Sequence, residues 1–100
     1  MIVITEHKGH ITIEGHAEYA PRGSDIVCAG VSAVTEGFIL SLEKLTANRP
    51  IYEIENGYAM IKTGEAMGYV KLLCDSFFIS CENIAQQFPD HVRVCRLDTH

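Results

Sequence analysis

The chain has no tryptophan, only three prolines and no excess of basic residues, with 8 lysines and arginines against 13 acids. Phosphate recognition needs clustered basic side chains, so the net charge of −5 argues against a nucleic-acid partner. No uninterrupted apolar run is long enough to span a bilayer, and we expect no membrane partner. Residues 1–6 alternate like a strand rather than forming a basic and then apolar leader, which predicts a cytoplasmic protein.

The four cysteines lack the CxxC spacing of zinc and redox sites and, without a secretory leader, are expected to be reduced thiols. Cys74 and Cys81 are seven residues apart, about 10 Å along a helix, which is too far for a disulfide. A zinc site built from these two with His91 and Cys95 would depart from known finger spacings. We therefore expect no metal and no cofactor.

One hundred residues, of which 47 % are hydrophobic, predict a single globular domain over 1–100. Short β-rich runs, joined by Lys8-Gly9 and by Asn56-Gly57, predict two hairpins. The four predicted strands are residues 2–6, 11–14, 51–55 and 58–62.

Two apolar stripes at three- and four-residue spacing predict two helices. The first stripe is Val27, Val31, Val34, Phe38, Leu42 and Leu45, and the second is Met67, Val70, Cys74, Phe77, Cys81, Ile84 and Phe88. Ser24 or Asp25 can cap the first helix, which Asn48 and Arg49-Pro50 end, while Pro89-Asp90 ends the second. A last strand is predicted over 92–97. The order ββαββαβ predicts an α+β, two-layer fold with a mostly antiparallel sheet and two helices.

Two side chains outside the core pattern carry candidate chemistry. His16 closes the first hairpin, and Cys28 lies one turn into the first helix, after a loop over 17–23. A helix N-terminus stabilises a thiolate, and a neighbouring imidazole can take the thiol proton. The N–H groups of Cys28 and Ala29 could then bind an oxyanion. The small residues Ala29, Gly30 and Ala33 leave room for a substrate backbone.

Each of these residues also has a purely structural interpretation. Cys28 could be a buried helix residue and His16 an ordinary strand-end histidine. Asp25 either caps the helix or orients His16, and Ser32, four residues after Cys28, either bonds near the site or packs.

The loop residues Tyr19 and Arg22 could contact a substrate or could be exposed without a role. The remaining histidines are expected to be solvated at turns or termini. They are His7, His10, His91 and His100.

The motifs at these positions favour the catalytic interpretation of His16 and Cys28. Gly15-His16-Ala17 and the run DIVCAGVS over 25–32 resemble the GHA and D-I-V-C-A-x-x-S motifs of the ribosomal-processing cysteine protease (Prp) family. The resemblance implies that His16 is the catalytic histidine and Cys28 the nucleophile, with no cofactor.

The resemblance also implies a substrate and an assembly. Such proteases remove the N-terminal extension of a precursor, the twenty-seventh protein of the large ribosomal subunit, at an apolar motif that contains phenylalanine. Members are homodimers with a mobile loop between the two catalytic residues. The alternative from another class is a non-catalytic, ribosome-associated binding or scaffold protein.

Overall fold

The computed structural model describes residues 1–97, which form five strands and two helices. In chain order these are β1 (Ile2–His7), β2 (His10–Glu14), α1 (Ile26–Leu45), β3 (Ile51–Glu55), β4 (Tyr58–Lys62), α2 (Gly68–Gln87) and β5 (Val92–Cys95). The sheet order is β3-β4-β2-β1-β5. All neighbours are antiparallel except β1 and β5, which are parallel. The predicted order and the mostly antiparallel sheet are confirmed.

The core lies between the sheet and the two helices. Alternate strand residues point to one face of a sheet, and in β1, β2, β4 and β5 that face is apolar and buried. Its members are Ile2, Ile4, Ile11, Ile13, Ala59, Ile61 and Val92. By contrast, every residue of the edge strand β3 is exposed.

The helices bury the stripes that the spacing predicts along most of their length. Phe38 of α1 stacks on Phe77 of α2, with ring centroids 4.7 Å apart. The prediction is wrong at two helix ends, because Leu45 is 69 % exposed and Met67 is 67 % exposed. Periodicity assigns a residue to a helix face, but it does not say how far along that face the core extends.

Among the described residues, one helix, α1, is long and apolar enough to cross a membrane by length and composition alone. Polar residues such as Glu36 interrupt it, so it is not an uninterrupted apolar run. A core helix of a globular fold passes the same test, and six side chains of α1 are buried here. In this structure α1 is a core helix.

The last strand is shorter than predicted, ending at Cys95 rather than at residue 97. Beyond it, the Leu97 N–H donates to a carboxylate oxygen of Glu6, at 2.9 Å, instead of to a strand carbonyl. Arg96 also leaves the ladder: its guanidinium binds Glu6 and Asp75 and lies 4.5 Å from the centre of the Phe78 ring. Side-chain contacts therefore replace strand pairing at this end.

Candidate active site

The first turn of α1 fixes the backbone of Cys28, the third residue of the helix. Asp25 is the N-cap, and its Oδ1 accepts hydrogen bonds from the N–H groups of Val27 and Cys28, both at 3.0 Å. A carboxylate at this position satisfies N–H groups that have no partner within the helix. The sequence alternative in which Asp25 is a cap is therefore the one that the structure shows.

The same carboxylate also holds the loop between the two candidate catalytic residues. Asp25 Oδ2 accepts hydrogen bonds from the N–H groups of Tyr19, at 3.0 Å, and Ala20, at 3.3 Å. These donors, the Cys28 N–H foremost, hold the pKa of Asp25 below its ordinary value, because each of them favours the ionised form. One side chain thus ties the loop to the start of the helix.

The thiol of Cys28 is half-buried and has a backbone partner. The N–H of Ala17 donates a hydrogen bond to Cys28 Sγ at 3.4 Å, across eleven residues of chain. Ala17 directly follows His16, so this bond brings the strand end that carries the histidine to the helix start that carries the thiol.

His16 lies two residues beyond the end of β2, against the turn between β3 and β4. The N–H of Gly15 donates to the Gly57 carbonyl at 2.8 Å, and the imidazole of His16 covers Gly57. Gly15 has a φ of +96°, and a Cβ there would overlap the carbonyl oxygen of Met1. Glycine is therefore needed before His16 for two independent reasons.

His16 and Cys28 line the same cleft, which has a volume of about 700 Å³. Within residues 1–97, no hydrogen bond joins the two side chains. The sequence-predicted supporting residues line the cleft as well: they are Asp25, Ala29 and Ser32. Arg22 also lines it, together with the carboxylates of Glu18, Glu36 and Glu55.

The two N–H groups that the sequence suggested as oxyanion donors both have intramolecular partners in this structure. The Cys28 N–H donates to Asp25 Oδ1, and the Ala29 N–H donates to the Asp25 carbonyl at 3.1 Å. Both groups belong to the capped first turn, where the side chain and the helix ladder use them. Their role as oxyanion donors stays a prediction, and a bound oxyanion would compete with these partners for the same N–H groups.

Sequence reasoning also missed a contact between the loop and the far end of α2. His91 was expected to be solvated, yet it is half-buried and its Nδ1 donates to the Ala17 carbonyl at 2.8 Å. Tyr19 does not line the cleft; its ring packs edge-on against Phe88 and His91, with centroids 5.3 Å apart in both pairs. No sequence signal joins His91 to Ala17, since they are 74 positions apart.

The remaining thiols lie away from the cleft. Cys74 and Cys81 are buried in α2, and burial raises the pKa of Cys74 to about 11 and that of Cys81 to about 12. Cys95 is exposed at the end of β5. Across residues 1–97, no three His, Cys, Asp or Glu side chains are arranged to hold a metal ion.

The sequence also matches known proteins over most of its length. The model of the family described as cysteine protease Prp matches residues 1–93. The ribosomal processing cysteine protease Prp of Bacillus subtilis is 32 % identical over 96 residues, covering 87 % of this chain and 86 % of that protein. Its counterpart in Staphylococcus aureus is 29 % identical over 87 residues, covering 84 % and 82 %.

A solved structure extends the similarity to the fold. The crystal structure of the S. aureus protease Prp in complex with a covalently linked product peptide superposes with a TM-score of 0.85. It is 25 % identical, and the alignment covers 96 % of this chain and 97 % of that one. The chain therefore belongs to the Prp family of cysteine proteases.

Proposed function

We propose that this protein is an endoprotease that removes the N-terminal extension of the precursor of the twenty-seventh large-subunit ribosomal protein. Cys28 is its nucleophile and His16 its base. The observation that carries the assignment is the bond from the Ala17 N–H to Cys28 Sγ, which places the thiol beside the residue that follows His16. The names of the related proteases support ribosomal processing as the task.

The chemistry follows from a thiol and an imidazole that share one cleft. His16 takes the proton of the Cys28 thiol, and the thiolate attacks the scissile carbonyl carbon. The tetrahedral intermediate then breaks its C–N bond, and the leaving amine takes the proton from His16. Water attacks the resulting thioester while His16 accepts its proton, and the bond between carbon and Sγ breaks to release the acid.

The cleft must tighten before this proton transfer. His16 and Cys28 share no hydrogen bond within the part of the chain that the structure describes, and the loop that joins them lines the cleft at Glu18 and Arg22. Closure of this loop over a bound peptide would bring the imidazole to the sulfur, as loops do in many enzymes.

The walls of the cleft suit an apolar cleavage motif that contains phenylalanine. Side chains of Ile2, Ile13, Val31 and Ile54 line it. Ile54 is 56 % exposed and therefore available to a ligand. Apolar walls with a few polar groups are typical of sites that bind a side chain by burial.

The test is cleavage of a peptide that spans the precursor's extension, followed by mass spectrometry. The unmodified protein should cut it once, and a peptide with alanine in place of phenylalanine should be cut more slowly. His16→Ala should abolish cleavage while leaving a thiol at Cys28 that iodoacetamide still labels. Cleavage by His16→Ala at the normal rate would remove the histidine from the mechanism.

We also propose a homodimer located in the cytoplasm. Large apolar side chains are exposed on β3 and on the outer face of α2, and a second copy could cover them. They are Ile51, Tyr52, Tyr69, Leu72 and Ile79. All four thiols are free, which suits a reducing compartment.

A further inference from the structure

The turn between α2 and β5 reaches into the loop that carries the Ala17 peptide. His91 Nδ1 donates to the Ala17 carbonyl, and the N–H of Ala17 donates to Cys28 Sγ. Both hydrogen bonds involve Ala17: its carbonyl accepts one and its N–H donates the other, on opposite sides of its Cα. Fixing one of them therefore limits how far the other can move.

The backbone of His91 is itself anchored, so the ring is a firm support. Its N–H donates to the Phe88 carbonyl at 2.9 Å, and its own carbonyl accepts from the Ile2 N–H at 2.8 Å. These two bonds tie the residue to the end of α2 and to the start of β1. The ring is further held edge-on by Tyr19.

We infer that His91 is a positioning residue for the protease reaction, which holds the Ala17 peptide so that its N–H contacts the sulfur of Cys28. A donor aimed at sulfur stabilises the thiolate more than the neutral thiol. His91 touches neither the cleft nor the thiol, and its effect passes through Ala17. The inference rests on the proposed function in so far as Cys28 is the nucleophile.

Two substitutions at position 91 separate the hydrogen bond from the ring packing. His91→Phe keeps a ring against Tyr19 and removes the donor. His91→Asn removes the ring and keeps an N–H donor at the position of Nδ1. The matched control is His10→Asn, because His10 lies in the β1–β2 hairpin and does not line the cleft.

The readouts are the alkylation rate of Cys28 at pH 7, followed on its own tryptic peptide, and the kcat and KM of peptide cleavage. His91→Phe should lower the alkylation rate and kcat roughly two- to tenfold, the range expected for one hydrogen bond, with KM unchanged. His91→Asn should recover most of both rates, and His10→Asn should match the unmodified protein. A substitution that disturbed the walls of the substrate cleft would instead change KM.

Equal losses in His91→Phe and His91→Asn would overturn the inference, because the ring rather than the donor would then matter. Unchanged alkylation in His91→Phe would overturn it too. If His91→Phe does not fold, ¹⁵N NMR of the unmodified protein decides, since a proton found only on Nε2 of His91 contradicts the bond. Cleavage that persists in Cys28→Ala would instead refute the proposed function, while the alkylation results could still stand.

Discussion

The imidazole of His16 lies against Gly57, in space that a side chain at position 57 would occupy. A Cβ built at Gly57 would come within 2.8 Å of His16 Nε2, closer than real Cβ contacts. Gly57 also has a φ of +77°, as the turn between β3 and β4 requires. The Asn56-Gly57 turn thus closes a hairpin and provides the surface on which the histidine lies.

Gly57→Ala should therefore displace His16 and reduce cleavage, by about a hundredfold if the imidazole moves by about 1 Å. The variant should also lose about 1–2 kcal/mol of unfolding free energy from the left-handed backbone conformation. Gly64→Ala is the matched control, because Gly64 has a φ of +69° and a Cβ there meets no atom within 4 Å. Urea titrations and cleavage rates of both variants make the comparison. Equal activity in the two variants would show that Gly57 does not position His16.

Cys28→Ser should leave the fold nearly unchanged and abolish cleavage, because a serine hydroxyl does not ionise near neutral pH. Cys74→Ala and Cys81→Ala should retain cleavage and lose about 1 kcal/mol of stability from small core cavities. Cys95→Ala should change neither property, since Cys95 is exposed. Mass spectrometry of the cleaved peptide measures all four variants. Full activity in Cys28→Ser would overturn the choice of nucleophile.

The Asp25 carboxylate should make stability depend on pH in the acid range. Its pKa is lowered in the folded state, so its contribution is fully present above its ordinary value of 3.8 and is lost as pH falls below it. Asp25→Asn should lose this dependence and weaken the bonds to Tyr19 and Ala20. Unfolding curves between pH 2 and 6 test the expectation. An unchanged acid slope in Asp25→Asn would contradict it.

The buried thiols should make stability fall in the alkaline range. Folding raises the pKa of Cys81 from 9.0 to about 12 and that of Cys74 to about 11, so the unfolded chain releases these protons first. Stability from this source is complete below pH 9 and decreases as pH rises above it. Cys81→Ala should show a shallower alkaline slope than the unmodified protein. Parallel slopes would mean that another group titrates.

The proposed homodimer is tested by sedimentation at micromolar concentration. The unmodified protein should show twice the chain mass. Tyr69→Lys and Ile51→Lys would each place a charge on one of the two exposed apolar faces, and the one that yields monomers identifies the interface. Ser24→Lys, at an exposed loop position outside β3 and α2, serves as the control. Monomer mass for the unmodified protein would end the proposal.

Local patterns in the sequence determined the elements of this fold. The spacing of Val31 and Phe38, the capping residue Asp25 and the Asn56-Gly57 turn each act within a few positions of chain, so each can be read from neighbours alone. The motifs around His16 and Cys28 likewise indicate the family, because each is a short run of neighbouring residues.

Tertiary structure alone decided which groups surround the thiol. The contact between His91 and Ala17 spans 74 positions of chain, and the imidazole of His16 lies against a glycine, Gly57, from a distant hairpin. The parallel pairing of β5 with β1 and the exposure of Leu45 and Met67 have the same origin. Periodicity specifies which face of an element is apolar, but the packing of distant elements decides what that face, and the loop beside it, will touch.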